Sequence, residues 1–110
     1  MGEEDLDQIN VVNWFRFQYK DVLIYHCPNG GRRNVREAVK LQRMGVVAGI
    51  PDLYVPKWHL WIEMKKKKGG TLSKEQKEII AYLQSIGDTV LVCRGFEEAK
   101  EMIMEFVNNA

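Results

Sequence analysis

The chain has 110 residues, 45% of them apolar and 28% charged, with a formal net charge of +1. That composition fits one globular domain over residues 1–110 and argues against a disordered tail or a protein that coats nucleic acid by bulk charge. No apolar run approaches membrane-spanning length.

The start, Gly2-Glu3-Glu4-Asp5, lacks the basic and apolar regions of a secretory signal, and Leu6 stands where a myristoylation motif needs Ser or Thr. Residues 4–19 carry Leu6, Ile9, Val12 and Phe15 at helical spacing without Gly or Pro, so a first helix is expected there, with Glu4 on its polar face. The aromatic surface around Trp14, Phe17 and Tyr19 is the expected contact of a homodimer. Residues 22–27 are rich in strand formers and stop at the turn signal Pro28-Asn29-Gly30-Gly31. Residues 32–44 place Val35, Ala38, Val39 and Leu41 among basic residues, with Gly45 suited to end a short helix. Arg32, Arg33, Arg36, Lys40 and Arg43 form a basic cluster, and helical spacing sets Arg36, Lys40 and Arg43 along one face as a track for DNA phosphates.

Residues 50–55 and 59–65 read as two strands joined by Pro56-Lys57-Trp58. Lys66, Lys67 and Lys68 precede the break at Gly69-Gly70; they are either a solvated loop or phosphate contacts that bind DNA without reading its sequence. Residues 73–86 are expected to form a helix, with Ile79, Ile80, Leu83 and Ile86 on one face and Gly87 past its end. Its opening, Ser73-Lys74-Glu75-Gln76, fits a capping box in which Gln76 reaches back to the Ser73 backbone. A buried strand at 89–94 and a helix at 96–107 complete the chain. The order α-β-α-β-β-α-β-α implies an α/β fold: a mixed sheet flanked by helices, with the strand after the crossover helix parallel to an earlier one. No repeat or linker interrupts it. Cys27 and Cys93 both fall in strand-like sequence without metal-ligand spacing, so free thiols in a reducing cytoplasm are expected.

The chemistry concentrates in Gly49-Ile50-Pro51-Asp52-Leu53 and Ile62-Glu63-Met64-Lys65. Strand alternation puts Glu63 and Lys65 on one face, and the intervening turn folds Asp52 back beside them. Two carboxylates and an amine suit phosphodiester hydrolysis: Mg²⁺ takes oxygen ligands from one or two carboxylates plus waters, and an amine can orient the attacking water or offset phosphoryl charge. The plainer alternative is an ion pair on an edge strand. Against it, a carboxylate set in apolar strand sequence needs a cation, metal or hydrogen-bond partner. His26 and His59 show no ligand or triad spacing and are assigned no role; Trp58 and Trp61 are expected to pack against a helix or subunit, with stacking on nucleic acid as the alternative.

These motifs, in order Pro28-Asn29-Gly30-Gly31-Arg32-Arg33, Gly45 through Leu53 as G-x-x-x-G-x-P-D-L, Ile62-Glu63-Met64-Lys65 and Leu72-Ser73-Lys74-Glu75-Gln76, resemble the virus-type replication-repair nucleases of the PD-(D/E)xK superfamily. The resemblance implies a restriction-endonuclease-like fold, with Asp52 and Glu63 as metal ligands and Lys65 as the catalytic lysine. It also implies an acidic ligand on the first helix, matched by Glu4 with Glu3 as substitute, and Gln76 facing the centre, so that the cap and the catalytic reading of Gln76 both stand. The run Lys65-Lys66-Lys67-Lys68 is more basic than the motif needs. The function this implies is a Mg²⁺- or Mn²⁺-dependent DNA endonuclease. With no sequence-reading module, selection of branched DNA such as a four-way junction by a homodimer is expected. The alternatives are a non-catalytic DNA-binding or assembly module, or a nuclease on flap, duplex or RNA substrates. Phage or mobile-element replication is the setting the resemblance suggests.

Overall fold

The structure, a computed structural model, describes residues 1–29 and 34–110. Its elements run α1 (Glu3–Gln18), β1 (Tyr25–His26), α2 (Val35–Arg43), β2 (Leu53–Val55), a 3-10 turn (Pro56–Trp58), β3 (Leu60–Lys65), α3 (Lys74–Ser85), β4 (Thr89–Arg94) and α4 (Phe96–Asn108). The element order matches the sequence expectation. The sheet order is β1-β2-β3-β4, antiparallel across the first two pairs and parallel between β3 and β4, where α3 makes the crossover.

Alternation sorts the sheet into two faces. Leu53 and Val55 of β2, Leu60, Ile62 and Met64 of β3 and Cys93 of β4 are buried together with Val11 and Phe15 of α1 and Ala99 and Ile103 of α4. The opposite face carries Trp61, Glu63 and Lys65 of β3, and α3 packs over β4 on that side. Burying a large aliphatic side chain is worth about 1.5–3 kcal/mol, so the α1/α4 face supplies most of the stability and fixes the register of β3. That register then decides which way Glu63 and Lys65 point.

Several expectations need correction at their edges. The strand foreseen at 22–27 contracts to Tyr25–His26, because the Val22 N–H is still turned back to the Tyr19 carbonyl at 3.0 Å. Cys27 therefore lies outside a strand, although its N–H donates to the Asp52 carbonyl at 2.8 Å. β2 starts at Leu53 instead of residue 50, since Gly49 has φ +86°, the Ile50 N–H folds back to Val47 O and Pro51 has no donor. His59, placed at a strand start from sequence, takes a left-handed φ of 50° that closes the 3-10 turn. In α2 the Asn34 side chain accepts from the Glu37 N–H at 2.8 Å, and none of the helix's residues is buried.

The face proposed for dimer contact is largely consumed within the chain. Tyr19 packs against Phe15 and Trp58 at ring distances of 5.0 and 5.2 Å, and Trp14 stands edge-on to Tyr19 at 5.8 Å. Phe17 alone of the three stays open, 74% exposed with the Lys20 ammonium 5.6 Å from its ring. Trp58 packs as expected, against Phe15 at 5.6 Å and Phe106 at 6.2 Å. No helix among the described residues is long and apolar enough to cross a membrane.

Candidate metal centre and nuclease site

Asp52 sits in the bend just ahead of β2, and β3 runs beside it. Its Oδ2 accepts the Met64 N–H at 2.7 Å, while its carbonyl accepts from Cys27 N–H. The His26 Nδ1 lies 2.9 Å from the same carbonyl and 3.1 Å from Gln8 Nε2; because a carbonyl only accepts, the ring presents Nδ1–H to it. Asp52 is thus held by His26 of β1, by the Cys27 N–H and by Met64 of β3. His26, given no role from sequence, is one of these contacts.

Glu63 is only 2% exposed, and its Oε1 is buried with no hydrogen-bond donor. Burial raises both carboxyls above the usual range. For Glu63 the rise, to about 9, comes first from desolvation, then from the Asp52 charge and the hydrogen bond with it, with a smaller push from Glu4 and relief from Lys65. Asp52 is raised less, since the Met64 N–H, the Glu63 hydroxyl, His26 and Lys65 all favour its charge. Without a cation, burial and the neighbouring Asp52 charge thus favour the protonated form of Glu63. A buried carboxyl beside a half-buried one calls for a proton or a cation between them.

The cationic half stands beside them. Lys65 Nζ lies 4.0 Å from Glu63 Oε2 and donates to Gln76 Oε1 at 2.9 Å, and Gln76 Nε2 donates to the same Glu63 oxygen at 3.3 Å. Gln76 is held by the capping box: its N–H donates to Ser73 Oγ at 3.1 Å and its Oε1 accepts the Ser73 N–H at 2.9 Å. Gln76 thus caps α3 and at the same time faces Lys65 and Glu63.

Asp52, Glu63, Lys65 and Gln76 line a small cleft of about 140 Å³ with Glu4, Asp5, Gln8 and Asn29. It adjoins a larger one, about 1000 Å³, bordered by Glu3, Glu4, His26, Asp52 and Lys66. Glu4 borders both clefts. Glu3 borders the outer one, where its Oε2 accepts the Lys67 N–H at 3.3 Å. Among the described residues no three His, Cys, Asp or Glu side chains form a closed ligand set. Two carboxylates with an open side suit an ion that retains several waters, as Mg²⁺ does. The orphaned Glu63 oxygen fits such an ion, because a cation there would satisfy it without the proton.

The basic residues are dispersed. Arg36, Lys40 and Arg43 are exposed on α2 at i, i+4 and i+7, and Lys66, Lys67 and Lys68 are exposed after β3. Arg32 and Arg33 lie outside the described residues. Arg94, which the sequence reading passed over, pairs in register with Lys65 and donates to the Gly70 carbonyl. That neighbour relation to Lys65 is invisible until β3 and β4 pair.

The VRR-NUC domain model matches residues 3–97. No curated protein sequence matches the chain. A solved structure described as a VRR_NUC domain protein superposes with a TM-score of 0.78 at 31% identity, covering 98% of this chain and 90% of that one. With both the family model and the fold in agreement over nearly its whole length, the chain belongs to the VRR-NUC domain family, a nuclease branch of the PD-(D/E)xK superfamily.

Proposed function

We propose that the chain is a Mg²⁺- or Mn²⁺-dependent DNA endonuclease, residues 1–110 forming one catalytic unit that selects branched DNA such as four-way junctions. The observation that carries this reading is the half-buried Asp52 and buried Glu63 beside the Lys65–Gln76 pair in an open cleft. Asp52 and Glu63 would hold the ion, with Glu4 reaching it from the rim of the same cleft. The ion, when bound, lowers the pKa of a water and offsets charge on the phosphoryl oxygens.

The chain's own groups do the rest. Met64 N–H and the His26–Cys27 contacts fix Asp52 so that its carboxylate needs no reorganisation. Gln76 holds the Lys65 ammonium toward Glu63, where it can offset phosphate charge or orient the attacking water. Lys66 at the outer cleft, with Lys67, Lys68, Arg36, Lys40 and Arg43, supplies exposed charge for the DNA backbone. None of these reads base edges, which favours selection by DNA shape.

A homodimer would set two such clefts against two strands of a junction, with Phe17 as the open part of the α1 aromatic surface. Two free cysteines, one of them buried, favour a reducing cytoplasm.

The test is cleavage of labelled four-way junction, flap, single strand and duplex with Mg²⁺, Mn²⁺ or EDTA, and Glu63→Gln as control. Metal-dependent cuts that vanish in Glu63→Gln, strongest on the junction, are expected. DNA binding without any cleavage would refute the nuclease in favour of a non-catalytic module.

A further inference from the structure

On the sheet face that carries Glu63 and Lys65, a second row of side chains crosses three strands: Tyr25, Tyr54 and Trp61, each the register partner of the next. Tyr25 stands edge-on to Tyr54 with ring centroids 6.0 Å apart, and Tyr54 leans on Trp61 at 4.0 Å. The Trp61 indole N–H donates to Asp88 Oδ2 at 2.9 Å, which anchors the inner end of the row. The outer end is open. Tyr25 is 43% exposed on the edge strand, while α3, the helix on this face, packs over β4 at the other side of the sheet.

Cross-strand aromatic pairs stabilise sheets, and Tyr54 with Trp61 is explained in that way. Tyr25 pairs with Tyr54 in the same way but keeps 43% of its surface open on a two-residue edge strand, which leaves part of the ring free for another partner. Its position relative to the site is informative. Trp61 precedes Glu63 by two residues, and Tyr54 follows Asp52 by two, so the aromatic row lies about 7 Å from the carboxylates on both strands. A nucleic-acid strand that has one phosphate over Asp52 and Glu63 and runs back along β2 and β3 passes a neighbouring nucleotide across this row. In a duplex that base is stacked and paired. At a junction centre, a flap or a single strand it is free to leave the stack, and an aromatic ring accepts any base by its π face.

The geometry points to Tyr25, at the open end of the Tyr25–Tyr54–Trp61 row, as a stacking platform for an unpaired base flanking the scissile phosphate. The inference rests on the proposed nuclease site for the position of that phosphate. It names the substrate feature through which the fold would tell branched DNA from continuous duplex.

The experiment uses the full chain, Tyr25→Ala and Tyr25→Trp, each checked for folding by thermal melting. The probes are a single strand carrying 2-aminopurine at successive positions and the same sequence fully paired, both bound in Ca²⁺, with cleavage in Mg²⁺ followed in parallel. One probe position is expected to be quenched by the native chain and by Tyr25→Trp but not by Tyr25→Ala. Single-strand binding should weaken about tenfold in Tyr25→Ala, with duplex binding unchanged. Quenching that survives in Tyr25→Ala, in a chain that still cuts, overturns the platform and leaves the nuclease standing. Tyr25-dependent quenching in a chain that never cuts keeps the platform and removes the nuclease. Equal weakening on both probes, with a dimer sedimenting as monomer in Tyr25→Ala, overturns the proposal by assigning the ring to a contact between copies.

Discussion

Gln76 Oε1 accepts from Lys65 Nζ and from the Ser73 N–H, at 2.9 Å each, so a single oxygen ties the start of α3 to the amine of the site. Cap and chemistry can be separated by mutation. Ser73→Ala removes the acceptor for the Gln76 N–H and should cost about 1 kcal/mol, lowering the melting temperature by roughly 4 °C, while kcat stays within a fewfold of wild type. Gln76→Ala should cost similar stability but cut kcat by at least about tenfold, because Lys65 and Glu63 lose a partner together. Equal kcat in the two variants would confine Gln76 to capping.

The buried Glu63 carboxyl beside Asp52 makes metal-free stability depend on pH in a defined direction. Glu63 has its pKa raised from 4.5 to about 9, so the folded state holds a proton that the unfolded chain has released. Stability should therefore be full below pH 4.5 as far as this group is concerned, and fall as pH rises from there toward about 9. Glu63→Gln removes the dependence and should melt higher than wild type at pH 8 to 9 in EDTA. Mg²⁺ replaces the proton, so its stabilising effect on wild type should grow with pH and be absent in Glu63→Gln. Melting curves at pH 5, 7 and 9 with and without Mg²⁺ decide this; a flat EDTA series would contradict a protonated Glu63.

Asp52 offers a cleaner separation of fold from chemistry. The Asn side chain keeps an oxygen for the Met64 N–H at the Oδ2 position, and the His26 and Cys27 contacts fall on the backbone carbonyl, which substitution does not alter. Asp52→Asn should thus melt within a few degrees of wild type, retain DNA affinity and lose cleavage to background. Persistent cutting would displace Asp52 from the site.

Apolar spacing was enough for the element order but not for the buried face of α1, where Val11 and Phe15 are buried while Leu6 and Ile9 of the expected stripe stay exposed. Strand ends were not legible. Where β1 begins depends on the Val22–Tyr19 hydrogen bond, and where β2 begins depends on the conformation of Gly49, neither of which is a pattern of side chains. The pairing of Asp52, Glu63 and Lys65 followed from strand alternation across one short turn. His26 escaped notice because its contact is with the carbonyl of a residue 26 positions away, and a backbone acceptor leaves no trace in the sequence. The partners of Trp14 and Tyr19 were illegible for a related reason: an aromatic residue looks the same whether it packs on Trp58 of its own chain or on another subunit.

Gly49 is the conformational requirement of the site loop. Its φ of +86° is strained for any other residue, and an added Cβ would lie 2.6 Å from the Glu75 carbonyl carbon and 2.8 Å from the Gln76 nitrogen. Both are backbone atoms of α3's first turn, so relief would push that turn, and Gln76 with it, off Lys65. Gly49→Ala should destabilise by about 1–3 kcal/mol and also lower kcat in the folded fraction at saturating DNA. A variant that melts like wild type would mean that the loop and α3 separate freely.

Lys66, Lys67 and Lys68 should act on binding and not on the chemical step. All three are exposed, and the one hydrogen bond from this run to α1, Lys67 N–H to Glu3, is made by backbone and survives side-chain removal. Each lysine that neutralises a duplex phosphate contributes about 0.9 to the slope of log affinity against log salt. Replacing all three with Ala should reduce the slope by roughly 2 to 3 and weaken binding most at low salt, with kcat at saturating DNA unchanged. Lys65→Ala should do the reverse, leaving the salt slope within one unit of wild type while removing cleavage, since its ammonium is committed to Gln76 and Glu63. Fluorescence anisotropy from 50 to 300 mM salt, paired with single-turnover cleavage, reads both quantities. An unchanged slope in the triple variant would make the run a solvated loop and leave the α2 arginines and lysine as the main phosphate contacts.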